Sequence, residues 1–206
     1  MNQPKLIDVT PFEPLIIKTS YDDWNYSEVI SACEKLIKTS PSKVHLEEGN
    51  AGSSASNKLN PHHMPEFKKF YGWLHDIAMH IIKKEWNMYK DFEYSIVNSW
   101  VNYHDKGGTT LEHHHGAAAM VVTTYLSLPE DGGFIQFKDP MEYHKGFFMH
   151  NEDDGFWNWK TVPAKTGDII MFPGWLRHRT QTSNSEGRRW VLTTNINSMN
   201  RPPLKR

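Results

Sequence analysis

Three adjacent histidines, His113, His114 and His115, stand in the stretch LEHHHGAAAM ahead of a run of small apolar residues. Neutral imidazole is the commonest protein ligand for a metal ion. On a strand side chains alternate between faces, so His113 and His115 share one face and His114 takes the other. Such a pair can grip one side of a metal, and a third ligand must come from elsewhere in the chain. His178 is the best candidate. In GDIIMFPGWLRHRT a hydrophobic strand passes through a Pro-Gly bend and ends on this histidine. Eleven residues later Arg189 opens another strand, RWVLTTN. His62, His63, His75, His80, His144 and His150 show no partner at a useful spacing and receive no role.

The elements that would position these residues follow from periodicity. FEPLIIKTS, residues 12–20, reads as a short strand. DDWNYSEVISACEKLIKTSP reads as a helix: Tyr26, Val29, Ile30, Cys33, Leu36 and Ile37 fall at helical spacing, Asp22 or Asp23 caps the start, and Pro41 stops the end. Cys33 lies on that apolar stripe, which makes it a core thiol rather than a nucleophile. EEGNAGSSASNKLNP is rich in Gly, Ser and Asn and reads as a mobile loop. A second helix runs from about Pro65 to Met88, its buried stripe including Phe67, Phe70, Leu74, Ala78 and Ile82. From Phe92 onward the pattern is β: FEYSIVNSWVNY, a turn at HDKGG, the apolar strand AAAMVVTTYLSL, a hairpin turn at PEDGG, then FIQFK. GDIIMFPGWLRHRT and RRWVLTTNIN complete the set around the polar turn SNSEG. Short strands with Gly-centred turns indicate a sandwich or barrel rather than alternating βα units. The expectation is one domain over residues 1–206, mainly β (α+β), with a helical part over 1–90 and a β core over 91–200.

Composition narrows the partners. With Lys+Arg 23 against Asp+Glu 24, there is no global field to draw nucleic acid or an anionic membrane. A single cysteine excludes an intramolecular disulfide framework and fits a reducing compartment. MNQPKLIDVT lacks the pattern of a signal peptide, and no apolar run reaches membrane-spanning length. A soluble, cytoplasmic protein is expected.

Read in order, these motifs resemble the 2-oxoglutarate and Fe(II)-dependent oxygenases, whose core is a double-stranded β-helix, or jelly roll. The likeness is carried by Tyr103 ten residues before His113, Tyr125 on the next strand, FIQFKDP, PAKTGDIIMFPGWLRH and RRWVLTTN. A bacterial and phage subgroup with W-x-N, H-x-H, F-x-D-P, G-D-x-x-x-F-P-x-W-L-x-H and R-x-x-x-x-x-N is the most similar. Trp100, Asn102, Asp139, Pro140 and Asn195 fit that pattern. The resemblance implies a jelly-roll core buttressed by the two N-terminal helices, with Fe(II) and 2-oxoglutarate as cofactors. Three protein ligands on one face of the iron leave open positions for cosubstrate and dioxygen. The reaction it implies is hydroxylation, with succinate and CO2 as by-products. On this reading His113, His115 and His178 hold the metal. Arg189 holds the distal carboxylate of 2-oxoglutarate through its guanidinium fork, Arg188 points to the other face, and the hydroxyls of Tyr103 and Tyr125 add hydrogen bonds.

His115 departs from the family pattern, which has a carboxylate at that position. Neither Glu112 nor Asp105 replaces it at the right spacing. A register shifted by one, His114-x-Gly116, is the arrangement of iron halogenases and gives up the match at Tyr103 and Tyr125. Two further readings stay open: a non-catalytic jelly-roll binding module, and a three-histidine, cupin-like dioxygenase that uses no 2-oxoglutarate. Arg189 discriminates against the last. The stretch MEYHKGFFMHNEDDGFWNWKTVP is too long for a hairpin and too aromatic for disorder, and reads as a lid, an interaction patch or a satellite core. A small molecule or a protein side chain is the expected substrate, with a modified nucleotide still open. The sequence does not define an oligomeric state.

Overall fold

Apolar side chains on both faces of its central strands set the architecture. The computed structural model describes residues 16–39, 46–56, 58–88, 91–142 and 159–199. Eleven strands are described: β1 Ile17–Ser20, β2 Glu47–Glu48, β3 Ala51–Ser53, β4 Tyr94–His104, β5 Thr109–Thr110, β6 Met120–Ser127, β7 Ile135–Lys138, β8 Trp159–Val162, β9 Asp168–Phe172, β10 His178–Thr180 and β11 Arg189–Ser198. Six form one antiparallel sheet in the order β1-β9-β6-β11-β4-β3, three form a second in the order β10-β7-β8, and β2 pairs with β5. This is the jelly-roll, mainly β fold expected from the sequence.

Two apolar layers flank the large sheet. Val101, Met120, Val122, Ile169, Met171 and Leu192 face the helices α1 (Tyr26–Thr39) and α2 (Lys68–His80). Val121, Tyr125, Ile170, Phe172 and Val191 face Ile135 and Phe137 of the small sheet. Strands β6 and β9 are therefore covered on both sides and read as continuous apolar runs rather than alternating ones. The side of the large sheet toward β7 and β10 carries the polar residues of interest. Among the described residues no helix is long and apolar enough to cross a membrane.

Several local expectations are corrected. Helix α1 is capped by Asn25 rather than Asp22 or Asp23. The Asn25 side chain accepts from the Glu28 amide at 3.5 Å and donates to the Glu28 carboxylate at 3.0 Å, a reciprocal capping arrangement. Of the strand expected over 12–20, Ile17–Ser20 is formed and 12–15 lie outside the described residues. The second helix is shorter than 65–88, with a 3-10 turn at Pro65–Phe67 before it and a π turn at Ile81–Glu85 after it. The Gly- and Ser-rich segment is not a loop throughout. It forms β2 and β3, and Ala51, Ser53 and Ser54 are buried, because unpaired backbone at the edge of β4 and β5 recruits it. Pro129–Gly133 is not a simple hairpin, since β6 lies in the large sheet and β7 in the small one.

Candidate metal centre

The main chain brings two of the expected ligands together. The His113 amide donates to the His178 carbonyl at 3.0 Å, and the His178 amide returns a bond to His113 at 2.9 Å. This is an isolated bridge rather than a strand, and a turn follows at Gly116. The His115 amide donates to the Gly174 carbonyl at 2.8 Å, which ties the histidine segment to the Pro-Gly bend. His113 and His115 still converge, as strand alternation predicts. His114 is exposed, and its Nδ1 accepts from the Gly116 amide at 3.0 Å.

Second bonds on each ring fix the tautomer. Nδ1 of His113 donates to the Leu111 carbonyl at 2.7 Å, Nδ1 of His178 to the Leu176 carbonyl at 2.9 Å, and Nδ1 of His115 to Asn195 Oδ1 at 2.7 Å. These oxygens only accept, so each Nδ1 carries the proton and each Nε2 is left as a bare lone pair. The ligand nitrogens of all three lie within 4.8 Å of one another, with His113 Nε2 and His115 Nε2 at 3.2 Å. Bare acceptors so close repel, and a cation among them turns the repulsion into ligation. Burial holds all three rings neutral at ordinary pH. It pushes His115 down to about 4, helped by His113, and holds His178 well below its usual value. His113 is lowered as well, again chiefly by burial. The donor set fits a divalent transition metal held on one side. Trp100 stacks on His115 with centroids 5.6 Å apart and the planes 16° from parallel.

From His113 and His178 a cavity of about 90 Å³ runs inward between the sheets. It is lined by Asn102, Thr123, Tyr125, Thr180, Val191 and Thr193, and Glu47 and His104 close its far end. The Asn102 Oδ1 atom is buried there with no hydrogen-bond partner among the described residues. Arg189 lies beside this end, fully buried. Its Nε donates to His104 Nδ1 at 3.2 Å, and its Nη1 bonds the carbonyls of Gly132, Gly133 (3.0 Å) and Gln181 (3.3 Å). Nη2 donates to Thr180 Oγ1 at 3.1 Å. The turn at Pro129–Gly133 thus has a task beyond connecting strands. Gly133 adopts a φ of +76°, and a Cβ there would lie 3.0 Å from Arg189 Nη1.

These bonds revise the expected fork. Protein carbonyls occupy Nη1, so one Nη2 hydrogen is left for a ligand, beside the Tyr125 hydroxyl. Tyr125 accepts from the Ile135 amide at 3.0 Å and keeps its own proton free to donate; burial pushes its pKa up to about 12. Tyr103 is not brought to the site. In β4, Trp100, Asn102 and His104 face the cavity, whereas Tyr103 faces the other way, against Trp190 at 5.7 Å and under the Arg188 guanidinium at 4.2 Å. Arg188 does point to that other face, pairing with Asp105 at 2.6 Å. Of the aromatic stretch, Trp159 lies in β8 under Arg179 at 4.1 Å, and residues 143–158 lie outside the described residues. Sequence reasoning missed Glu47 and His104, and gave Asn195 no task.

Asn195→Ala removes the acceptor that orients His115. It is expected to weaken metal binding about 10–100-fold while leaving the fold intact. Titration calorimetry with Ni(II), beside circular dichroism, checks both halves.

A double-stranded β-helix with three converging histidine nitrogens beside an internal cavity is a frame that can hold a metal on one side and leave its other positions open. Comparison with known proteins agrees. Residues 98–195 match the family described as "Putative 2OG-Fe(II) oxygenase". No curated protein sequence matches the chain. Similar solved structures include the non-heme alpha ketoglutarate dependent carbocyclase SnoK from nogalamycin biosynthesis, with 13% identity and a TM-score of 0.62 over 94% of this chain and 84% of that one. HygX from Streptomyces hygroscopicus, solved with nickel and 2-oxoglutarate bound, has 14% identity and a TM-score of 0.59 over 90% and 82%. A Pseudomonas putida prolyl-4-hydroxylase has 10% identity and a TM-score of 0.58 over 90% and 93%. At these identities the structures speak for the fold, and the family match for the class. The matched segment, residues 98–195, is thus similar to the 2-oxoglutarate/Fe(II)-dependent oxygenases, a family whose cofactors are Fe(II) and 2-oxoglutarate.

Proposed function

We propose that the chain is a dioxygenase that holds Fe(II) by His113, His115 and His178 and hydroxylates a small molecule or a protein side chain. The observation that carries this reading is the convergence of three bare imidazole nitrogens, two of them lining a cavity whose other end lies beside a buried arginine. When bound, Fe(II) and 2-oxoglutarate supply an oxidant derived from dioxygen that replaces C–H by C–OH, with succinate and CO2 as by-products. The chain's own residues do the rest. Asn195 and the Leu111 and Leu176 carbonyls aim the ligand nitrogens. One Arg189 N–H and the Tyr125 hydroxyl attract the distal carboxylate, and Val191, Ile135 and the threonines of β6 and β11 keep bulk water out of the cavity. The buried cation favours this reading over a three-histidine dioxygenase without 2-oxoglutarate, which needs no positive charge there. It also favours it over a binding module, which needs no converging lone pairs. The test is succinate formation from 2-oxoglutarate with and without Fe(II). Fe(II)-dependent succinate is expected. Its absence, with metal shown to be bound, would return the binding module to first place.

A further inference from the structure

We propose that Glu47 is the proton-accepting partner of the arginine, so that a carboxylate enters the cavity beside Arg189 only as Glu47 takes up a proton. This rests on the reading that Arg189 receives the distal carboxylate of 2-oxoglutarate.

Glu47 lies in β2, lines the same cavity, and has a side chain only 3% exposed. Both of its polar contacts reach one oxygen. Oε2 accepts from Thr110 Oγ1 at 2.9 Å and lies 2.9 Å from His104 Nε2. His104 transmits the pairing. Its Nδ1 accepts from Arg189, so Nε2 carries the proton and donates to Thr110 Oγ1 at 2.7 Å, and the Thr110 hydroxyl donates in turn to Glu47. Arginine, neutral imidazole and carboxylate therefore form one buried chain whose charges cancel. Oε1 of Glu47 takes no hydrogen bond among the described residues.

A ligand carboxylate upsets this balance. With Glu47 ionised, two carboxylates would share one buried cation, and two such anions in a dry site cannot both stay charged. Protonation of Glu47 on Oε1 restores neutrality. It also supplies a donor to the incoming carboxylate, while Oε2 keeps its bond to Thr110 and its place beside His104. The proton comes from solvent, and no other bond changes. The groups facing Glu47 leave it as the one able to respond near neutral pH. His104, on β4, is held neutral well below its usual range by burial, with Arg189 adding to the effect. Tyr125, on β6, is pushed up to about 12, and Arg189, on β11, though lowered by burial to about 10, stays cationic. Thr110, on β5, does not titrate. Burial raises Glu47 itself to about 7 before any ligand arrives.

The test is calorimetry of 2-oxoglutarate binding to Ni(II)-loaded protein, in buffers of different ionisation enthalpy, from pH 6 to 8.5. Near one proton should be taken up per ligand at pH 8, falling toward zero near pH 6, where Glu47 is already protonated. Affinity should weaken about tenfold per pH unit above the free-state pKa. Glu47→Gln should abolish the uptake, flatten the pH dependence, and bind about tenfold tighter than the unaltered protein at pH 8. Binding with no buffer-dependent heat and a flat pH profile in the unaltered protein overturns the proposal, whether or not the variant folds. No binding at any pH would instead sink the cosubstrate reading on which it stands.

Discussion

His178→Ala is expected to strip the metal from the protein. His178 is the most buried of the three ligands, packed edge-on against Phe172 at 4.7 Å, so no water-exposed neighbour can take its place. A ligand in a closed site contributes about 3 kcal/mol to metal binding, so affinity should fall on the order of a hundredfold or more. Metal content after dialysis and Ni(II) calorimetry measure the loss. Two companion variants test the register. His114→Ala, on the exposed side, should change nothing, whereas His115→Ala should weaken binding. His115→Asp should keep the metal, because a carboxylate suits the same position and adds a compensating charge. Loss of metal in His114→Ala, with retention in His115→Ala, would move the site by one residue and revive the halogenase-like arrangement.

Arg189→Ala should produce the second large effect, on stability as well as on binding. The substitution deletes every bond to His104, Thr180 and the Gly132, Gly133 and Gln181 carbonyls, and leaves Glu47 buried without its cation. Removing one partner of a buried charge pair costs about 3–5 kcal/mol. Urea denaturation should show a loss of that size. Arg189→Lys keeps the charge but cannot reproduce the bonds to His104 and the turn together. It should bind 2-oxoglutarate about ten- to a hundredfold more weakly, a loss of about 1.5–3 kcal/mol, with metal binding intact. Unchanged 2-oxoglutarate affinity in Arg189→Lys would remove Arg189 from the cosubstrate site.

The strands were legible where burial governs composition. AMVVTTYLS and DIIMF could hardly be anything but covered strands, and both helices showed their stripes. The convergence of His113 and His115 was legible because alternation along extended chain is local physics, and His178 because it ends a hydrophobic strand after a Pro-Gly bend. What the sequence hid depends on pairing across long separations. Glu47 sits among Gly, Ser and Asn, and nothing nearby announces that β2 will be drawn against β5 and its carboxylate buried. His104 adjoins Tyr103, and choosing between them requires knowing which face of β4 looks inward. That is fixed by the register opposite β11, where His104 stands across from Arg189. The fork expected of Arg189 failed for a related reason. The carbonyls that occupy Nη1 come from a turn whose conformation, not its composition, aims them.

The paired amides of His113 and His178 carry a consequence for how the chain is held shut. About 65 residues, including β6 to β9, leave the histidine segment and return to it, and two backbone hydrogen bonds close that excursion at its neck. An ion ligated by both histidines is a cross-link at the same neck. It is equivalent in topology to a disulfide across a loop of that length, which restricts the unfolded chain by about 4 kcal/mol. The ion therefore acts as a removable clasp for the small sheet, and chelation should loosen β7, β8 and β10 before it disturbs the layer packed on the helices.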